Sequence, residues 1–530
     1  MGNASLLGCP TEVHVSILGY GLKKRDIMSL SRANRRLHSL CQHLLYKDIE
    51  IADVNKSPIF PLLRTFINEP KLGELVRKVS FTGIDLWDGC YSTQSSAIFP
   101  TDQAIQKLKS IGFRNADQVI FTTESYTKDE YLQGRIYALR ILLLSFCPKL
   151  TALQLSAAFG YERQRIASFL KTAILAPESI GLPTDAFCQL SEVEFPLDLE
   201  EYRWDGTHDP TGRALSLFYL PKIQRLSLPI AISDKILWPA DLGPSFASEL
   251  TSLSIHGLQE RLLGQLLAPL HQLRSLKWQL SVPCSDGLTI KLPVLATSLK
   301  KVKDIEDVTI LAHRGAYVPM GIMDELPPIR LHGSLNGLTT SMASLRRLQI
   351  PWVFVMGYTP GAKSLKLVLT RNLEQLTLTD DLGSEETFGW TSRSIISKLN
   401  NDVDEHHPHQ TSPNLRQVLV TVFVSTTSRS DDYNDESSAD DHSESEGMTQ
   451  TQGVGPGYLV WARRQAERVK RRLAQLTVKT GITFMKLPSD GTQERASVWY
   501  DMRNAELFSN YDHEEYDDYF RGSESENSEY

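Results

Sequence analysis

Asp402, Asp404, Glu405, His406, His407 and His409 fall within eight residues, and carboxylates and imidazoles at that density are the donor types that ligate zinc and related metals. Such chemistry needs ligands held by rigid elements and oriented by outer partners. This run contains Pro408 and sits in a polar stretch, so it reads as a solvated loop and no metal is expected. The sequence has no P-loop, no G-x-G-x-x-G after a strand, no G-x-S-x-G and no H-E-x-x-H. Gly453-Val454-Gly455-Pro456-Gly457 is a linker by composition. The expectation is a non-enzymatic protein with no catalytic residue and no cofactor. Cys9, Cys41, Cys90, Cys147, Cys188 and Cys284 are widely spread without a C-x-x-C pair, which fits reduced thiols rather than a disulfide frame or a zinc site.

With chemistry set aside, composition bounds the class. Hydrophobic residues are 41% and charged residues 22% of the chain, the balance of an ordinary globular protein able to bury a large core. No apolar run approaches the roughly 18 residues of a membrane span, the longest candidate being the short Ile141–Cys147 stretch. The first residues lack a basic region leading into an apolar one, so a protein of the cytoplasm, the nucleus or both is expected, with no membrane partner.

Charge is unevenly distributed. The net charge is -7, yet residues 430–446 hold eight acids and no Lys or Arg, and residues 512–530 hold eight acids against Arg521 alone. The rest of the chain is therefore mildly basic. Both runs are too poor in aliphatic residues to offset chain entropy by burial, and they read as a disordered insertion and a disordered tail.

The strongest pattern is a repeat. Leu-x-x-Leu-x-Leu, with other aliphatic or aromatic residues allowed, fits Val76/Val79/Phe81, Leu150/Leu153/Leu155, Leu190/Val193/Phe195, Ile223/Leu226/Leu228 and Leu250/Leu253/Ile255. It continues through Leu273/Leu276/Trp278, Ile305/Val308/Ile310, Leu345/Leu348/Ile350, Leu373/Leu376/Leu378 and Leu415/Val418/Val420, with Ala116/Val119/Phe121 a weaker match in the widest gap. The last two anchors of each match, two residues apart, share one face of a short strand, and the first anchors the turn that enters it. One strand with one crossover cannot enclose its own apolar face, so units must stack into a parallel sheet. Glu162–Leu175 and Glu260–Leu270 have helical spacing, while other crossovers look like loops. The Asn that usually follows such strands is missing, so a degenerate leucine-rich repeat array over 51–424 is expected.

Beyond it, a strand from Val418 to Val424 leads into the acidic insertion of 425–456. A helix from Tyr458 to Lys479 and apolar alternation from Ile482 to Leu487 lead out, giving a segment 457–500 that closes the array before the acidic tail of 501–530. Leu459, Ala462, Ala466, Val469, Leu473 and Leu476 form one helical stripe, and Gly481 stands where a left-handed cap is expected. The other face carries Arg463, Arg464, Arg468, Lys470, Arg471 and Arg472. No nucleic acid is expected as a partner.

At the other end, Pro10 can start a helix presenting Val13, Ile17 and Leu18, broken by Gly19 and Gly21. Lys24–Ser31 and Arg35–Lys47 supply two more amphipathic helices, and Asp48–Ile51 turns to alternation. A core so small is usually completed by a partner. Cys9-Pro10-Thr11-Glu12-Val13, Arg25-Asp26-Ile27-Met28-Ser29-Leu30-Ser31 and Asn34-Arg35-Arg36-Leu37-His38-Ser39-Leu40 continuing to Leu45-Tyr46 resemble the F-box family as found in filamentous fungi. The resemblance covers residues 6–50.

It implies an α/β protein with an N-terminal three-helix F-box-like module followed by an irregular leucine-rich-repeat solenoid with a parallel sheet. It also implies a substrate-recognition subunit of a cullin-RING ubiquitin ligase of the SCF type. Pro10, Val13, Ile17, Leu18, Ile27, Leu30 and Leu37 would then contact the Skp-type adaptor or hold the helices that do. A protein substrate would lie on the strand face, where Gln154, Ser227, Ser254, Lys277, Gln349 and Thr377 occupy outward positions between the anchors. The alternative is a repeat-based binding scaffold with no role in ubiquitination.

Overall fold

The computed structural model describes residues 11–20, 22–51, 59–82, 101–111, 138–155, 162–195, 213–230, 236, 249–282, 289–314, 328–336, 338, 342–361, 363–383, 385, 387–406, 411–421 and 456–486. They divide into two units, one from 1–374, 381–389 and 406–415, the other from 375–380, 390–405 and 416–530. The fold is mixed helix and strand with a large parallel sheet.

In the first unit, three helices lead directly into the sheet: α1 (Thr11–Gly19), α2 (Lys24–Ala33) and α3 (Arg35–Lys47). Asn34 is the single residue between α2 and α3. Its extended backbone breaks the helical path, and its side-chain oxygen accepts the Arg36 N–H at 2.7 Å, satisfying one of the orphan donors of α3. Leu18, Ile27 and Cys41 form the buried centre of the trio, with Leu30, Leu40, Leu44 and Leu45 packed around it. Strand β1 (Asp48–Ile51) follows α3 without a linker, and α4 (Ile59–Asn68) buries Ile59, Leu63 and Phe66.

The strands β2 (Lys78–Phe81), β3 (Ala152–Leu155), β4 (Glu192–Glu194), β5 (Arg225–Pro229), β6 (Ser252–His256), β7 (Ser275–Val282), β9 (Asp307–Arg314) and β11 (Arg347–Pro351) extend β1 into a nine-stranded parallel run. The register places Ile49, Val79, Leu153, Val193, Leu226, Leu253, Leu276, Val308 and Leu348 in one continuous row, every member buried. Because side chains alternate with a period of two, this row and its neighbour two residues on form the apolar face. Trp278 fits that face because its indole N–H donates to the Leu258 carbonyl at 2.8 Å, which removes the cost of a buried unpaired donor. Each entering turn is also tied to the one before it. The Arg77 carbonyl accepts from both Thr151 and Ala152, that of Thr151 from Ser191 and Glu192, and the arrangement recurs to Glu306, which accepts from Arg346 and Arg347.

The crossovers include α5 (Glu162–Leu175), α6 (Glu260–Leu267, three residues shorter than its spacing predicts) and α7 (Leu292–Leu299). Two further strands, β8 (Thr289–Lys291) and β10 (Arg330–His332), pair in parallel as a small separate sheet beside α6 and α7. The repeat pattern gives no sign of them, since they lie in crossovers rather than at the anchors.

The second unit holds β12 (Gln375–Thr379), β13 (Gln417–Val420) and β14 (Thr483–Lys486), all parallel, with α8 (Ser392–His406) and α9 (Pro456–Thr480). The expected strand, helix, strand succession is present. Gly481 takes φ +71°, and its N–H donates to Thr477, ending α9 in the left-handed cap predicted for it. Two expectations fail. Asp402, Asp404, Glu405 and His406 lie in α8 rather than in a loop, because Ile395, Ile396, Leu399 and Val403 give that segment a buried apolar stripe. Thr377, expected on an open face, is outward by alternation but covered, being only 4% exposed on a strand whose last four residues are all buried. Ala116/Val119/Phe121 and both acidic runs lie outside the described residues.

Candidate interaction surfaces

The N-terminal helices bury little and expose much. Leu18 and Ile27 are buried and Leu30 is half-buried in the central cluster of the trio, and Leu37 is buried as well. Val13 and Ile17 are instead 41% and 46% exposed, and Tyr20, Leu22 and Met28 are exposed beside them in sequence. Pro10 lies outside the described residues. Five of the large apolar residues that the described part of the chain leaves exposed thus come from one sixteen-residue stretch. Scattered single apolar residues on a surface need no explanation, whereas a contiguous apolar patch is the usual signature of a contact region. Asp26 accepts the Lys23 N–H at 3.3 Å, and the Lys24 ammonium donates to the Asp48 carbonyl at 2.5 Å, anchoring α2 to the start of β1.

On the sheet, the outward positions form a second continuous row. Gln154, Ser227, Ser254, Lys277 and Gln349 are brought together by the register, with Glu194 between the first two and Thr309 between the last two. Glu50 and Ser80 extend the row to β1, and the Ser80 hydroxyl donates to the Gln154 amide oxygen at 3.2 Å. Thr377 sits in the second unit, in register with Leu419. Glu194 and Thr309 escaped the sequence reading although they stand at the same place between anchors, in Val193-Glu194-Phe195 and Val308-Thr309-Ile310. That position was the available signal.

Along the next outward row, cations are neutralised in place. Arg225 donates to Glu192 at 2.6 Å, and Arg347 holds Asp307 through Nε and one terminal nitrogen, which raises the guanidinium pKa above its ordinary value. A ladder at the turn edge links Arg274 to Glu306 at 3.7 Å and Arg346 to Glu306 and Glu374 at 3.9 Å each. Exposed pairs of this kind are worth about 0–1 kcal/mol each, so their main effect is to leave the face nearly neutral and hydrogen-bond-rich.

His256 and Gln279 lie on this outward face and are buried. The imidazole Nδ1 meets the Gln279 amide oxygen at 3.0 Å, and Nε2 meets the Ser254 hydroxyl at 3.3 Å. With Nδ1 donating, Nε2 accepts from Ser254, a pattern that superficially matches a hydroxyl paired with a base. The orienting group is a neutral amide, however, and lacks the carboxylate charge that stabilises an imidazolium. The arrangement satisfies buried polar atoms and stiffens the middle of the face.

No protein-family model matches this sequence, and neither does any curated protein.

The His/Asp/Glu cluster is dispersed by the fold. Asp402 is buried and pairs with Lys398 one helical turn earlier at 2.9 Å, Asp404 pairs with Lys479, and His407 and His409 lie outside the described residues. Among the described residues there is no group of three or more His, Cys, Asp or Glu side chains placed to hold a metal, and no helix long and apolar enough to cross a membrane. Cys41 and Cys147 are buried free thiols, and Cys188 is a half-buried one.

Proposed function

We propose that this protein is the substrate-recognition subunit of an SCF-type ubiquitin ligase, with α1–α3 as an F-box-like module that binds the Skp-type adaptor. The parallel run would form an irregular leucine-rich-repeat solenoid that presents a protein substrate to the ligase. The observation that carries the reading is the concentration of exposed Val13, Ile17, Tyr20, Leu22 and Met28 along α1, α2 and the link between them, in a trio of helices whose central buried cluster is only Leu18, Ile27 and Cys41. Covering an apolar side chain fully gains about 1.5–3 kcal/mol, so a partner seated there would supply stabilisation that the trio does not supply itself. The outward row from Gln154 to Gln349 suits an extended protein segment, because its mixed hydroxyl, amide and charged groups offer hydrogen bonds at a regular spacing.

The test is retention of purified Skp-type adaptor by the intact protein and by a Val13→Asp/Ile17→Asp variant. Both substituted residues are exposed, so the variant should keep its circular dichroism and melting behaviour. Retention by the intact protein and loss in the variant supports the reading. Failure of the intact protein to retain adaptor, or equal retention by both, sinks it. Adaptor binding without adaptor-dependent turnover of captured proteins would instead indicate a scaffold.

A further inference from the structure

Helix α9 faces two ways. Val469, Leu473 and Leu476 are buried on the side toward β14, whereas Arg468, Lys470, Arg471 and Arg472 are all exposed. Arg468 stands three and four residues from Arg471 and Arg472, the spacings that stack side chains on one helical face and make like charges repel. Glu467 is the only acid in the whole helix. Near the C-terminal end Lys479 is already paired with Asp404 of α8. Arg468, Arg471 and Arg472 have no ion-pair partner among the described residues. The result is a cationic patch on the helix that buries Val469, Leu473 and Leu476 and ends in the Gly481 cap.

We propose that the acidic segment 512–530 of the same chain docks on this face of α9 and acts as its intramolecular cover. Charge complementarity is the first argument. The segment carries eight acids against one arginine, and the helix carries seven Lys and Arg against one acid. Side-chain type is the second. Tyr516, Tyr519, Phe520 and Tyr530 are interleaved with the acids, and aromatic rings stack on guanidinium groups as well as on ammonium groups. The other acidic run, 430–446, has Tyr433 as its only aromatic.

Reach is the third argument. From Lys486, the end of β14, to Asp512 is twenty-six residues, and an unstructured chain of that length has a root-mean-square reach of roughly 30 Å. A helix of 25 residues is about 37 Å long. A tether of that reach would bring the segment to Arg468, Arg471 and Arg472 at an effective concentration on the order of millimolar. This inference is independent of the adaptor reading.

The experiment uses three full-length proteins: the native chain, a chain with the acids of 512–530 changed to their amides, and an Arg468→Gln/Arg471→Gln/Arg472→Gln chain. A fluorescent synthetic peptide of residues 512–530 is titrated into each, and a duplex DNA oligonucleotide is the competing polyanion. The amide chain should bind the peptide about tenfold more tightly than the native chain, whose face is already covered. The arginine variant should bind it least, and binding to the amide chain should weaken as salt rises from roughly 50 to roughly 300 mM. Circular dichroism confirms that all three chains are folded. Equal peptide binding by all three overturns the proposal. So does tight DNA binding by the native and amide chains alike, which would make the face a phosphate-backbone site.

Discussion

A methyl group added at Gly73 would stand 2.1 Å from the Phe146 carbonyl oxygen and 2.9 Å from its carbonyl carbon. Both are backbone atoms at the end of a buried helical segment that carries Leu139 and Ile141 through Leu144, so neither can swing aside as a flexible side chain would. Gly73→Ala should cost about 1–3 kcal/mol, read as faster amide exchange across 138–147; unchanged exchange would mean that the contact is loose. Cys147 in that segment is fully buried, its thiol donating to the Leu143 carbonyl at 3.3 Å, and burial raises its pKa strongly. Burial also raises the pKa values of Cys41, Tyr46 and Tyr219. For a group with a raised folded-state pKa, the folded chain keeps a proton that the unfolded chain loses. The stabilisation is complete below the ordinary thiol pKa of about 8.5 and is lost as pH rises above it. Cys147→Ala should therefore flatten the decline in the urea midpoint between roughly pH 8 and roughly pH 10.5. An equally steep decline would remove the thiol from the account.

Among the elements, α3 depends on its cap. Asn34→Ala removes the acceptor for the Arg36 N–H and should cost about 1 kcal/mol, appearing as lost exchange protection in 35–40 while α5 is unaffected; equal loss in α5 would point to a global effect instead. How legible each element is in the sequence follows from what marks it. Helix α9 is readable because Val469, Leu473 and Leu476 keep helical spacing and Gly481 supplies the cap. The helix α8 carries a similar stripe in Ile395, Ile396, Leu399 and Val403, but the dense histidines and Pro408 just beyond it disguise its end as a loop. Strands β8 and β10 have three residues each, as the readable β4 does, but they lie in crossovers without the anchor motif that marks it. Outward positions of the sheet follow directly from the anchors, as Gln154, Ser227, Ser254, Lys277 and Gln349 do. Whether such a position is exposed depends on what covers the strand, and strand alternation alone carries no information about that, as Thr377 demonstrates.

At the scale of the nine-stranded run, stability should be local rather than uniform, because every strand is hydrogen-bonded only to its immediate neighbours and each turn carbonyl serves only the next turn. In such an arrangement the free energy is close to a sum of unit terms and nearest-neighbour terms. Leu276, at 1% exposure, sits in register between Leu253 and Val308. Leu276→Asp would place a carboxylate between the apolar side chains of Leu253 and Val308, a cost of several kcal/mol. The ladder between β6, β7 and β9 should open first. Amide exchange should then rise steeply in 252–256, 275–282 and 307–312, moderately in 225–229 and 347–351, and least in 48–51 and 78–81. A rise of equal size in all of these segments would show that the run unfolds as one cooperative body and that the nearest-neighbour description fails. A graded rise would mean that substitutions in the middle of the outward face can be used to probe substrate binding without disturbing the N-terminal helices, which are joined to the opposite end of the run through β1.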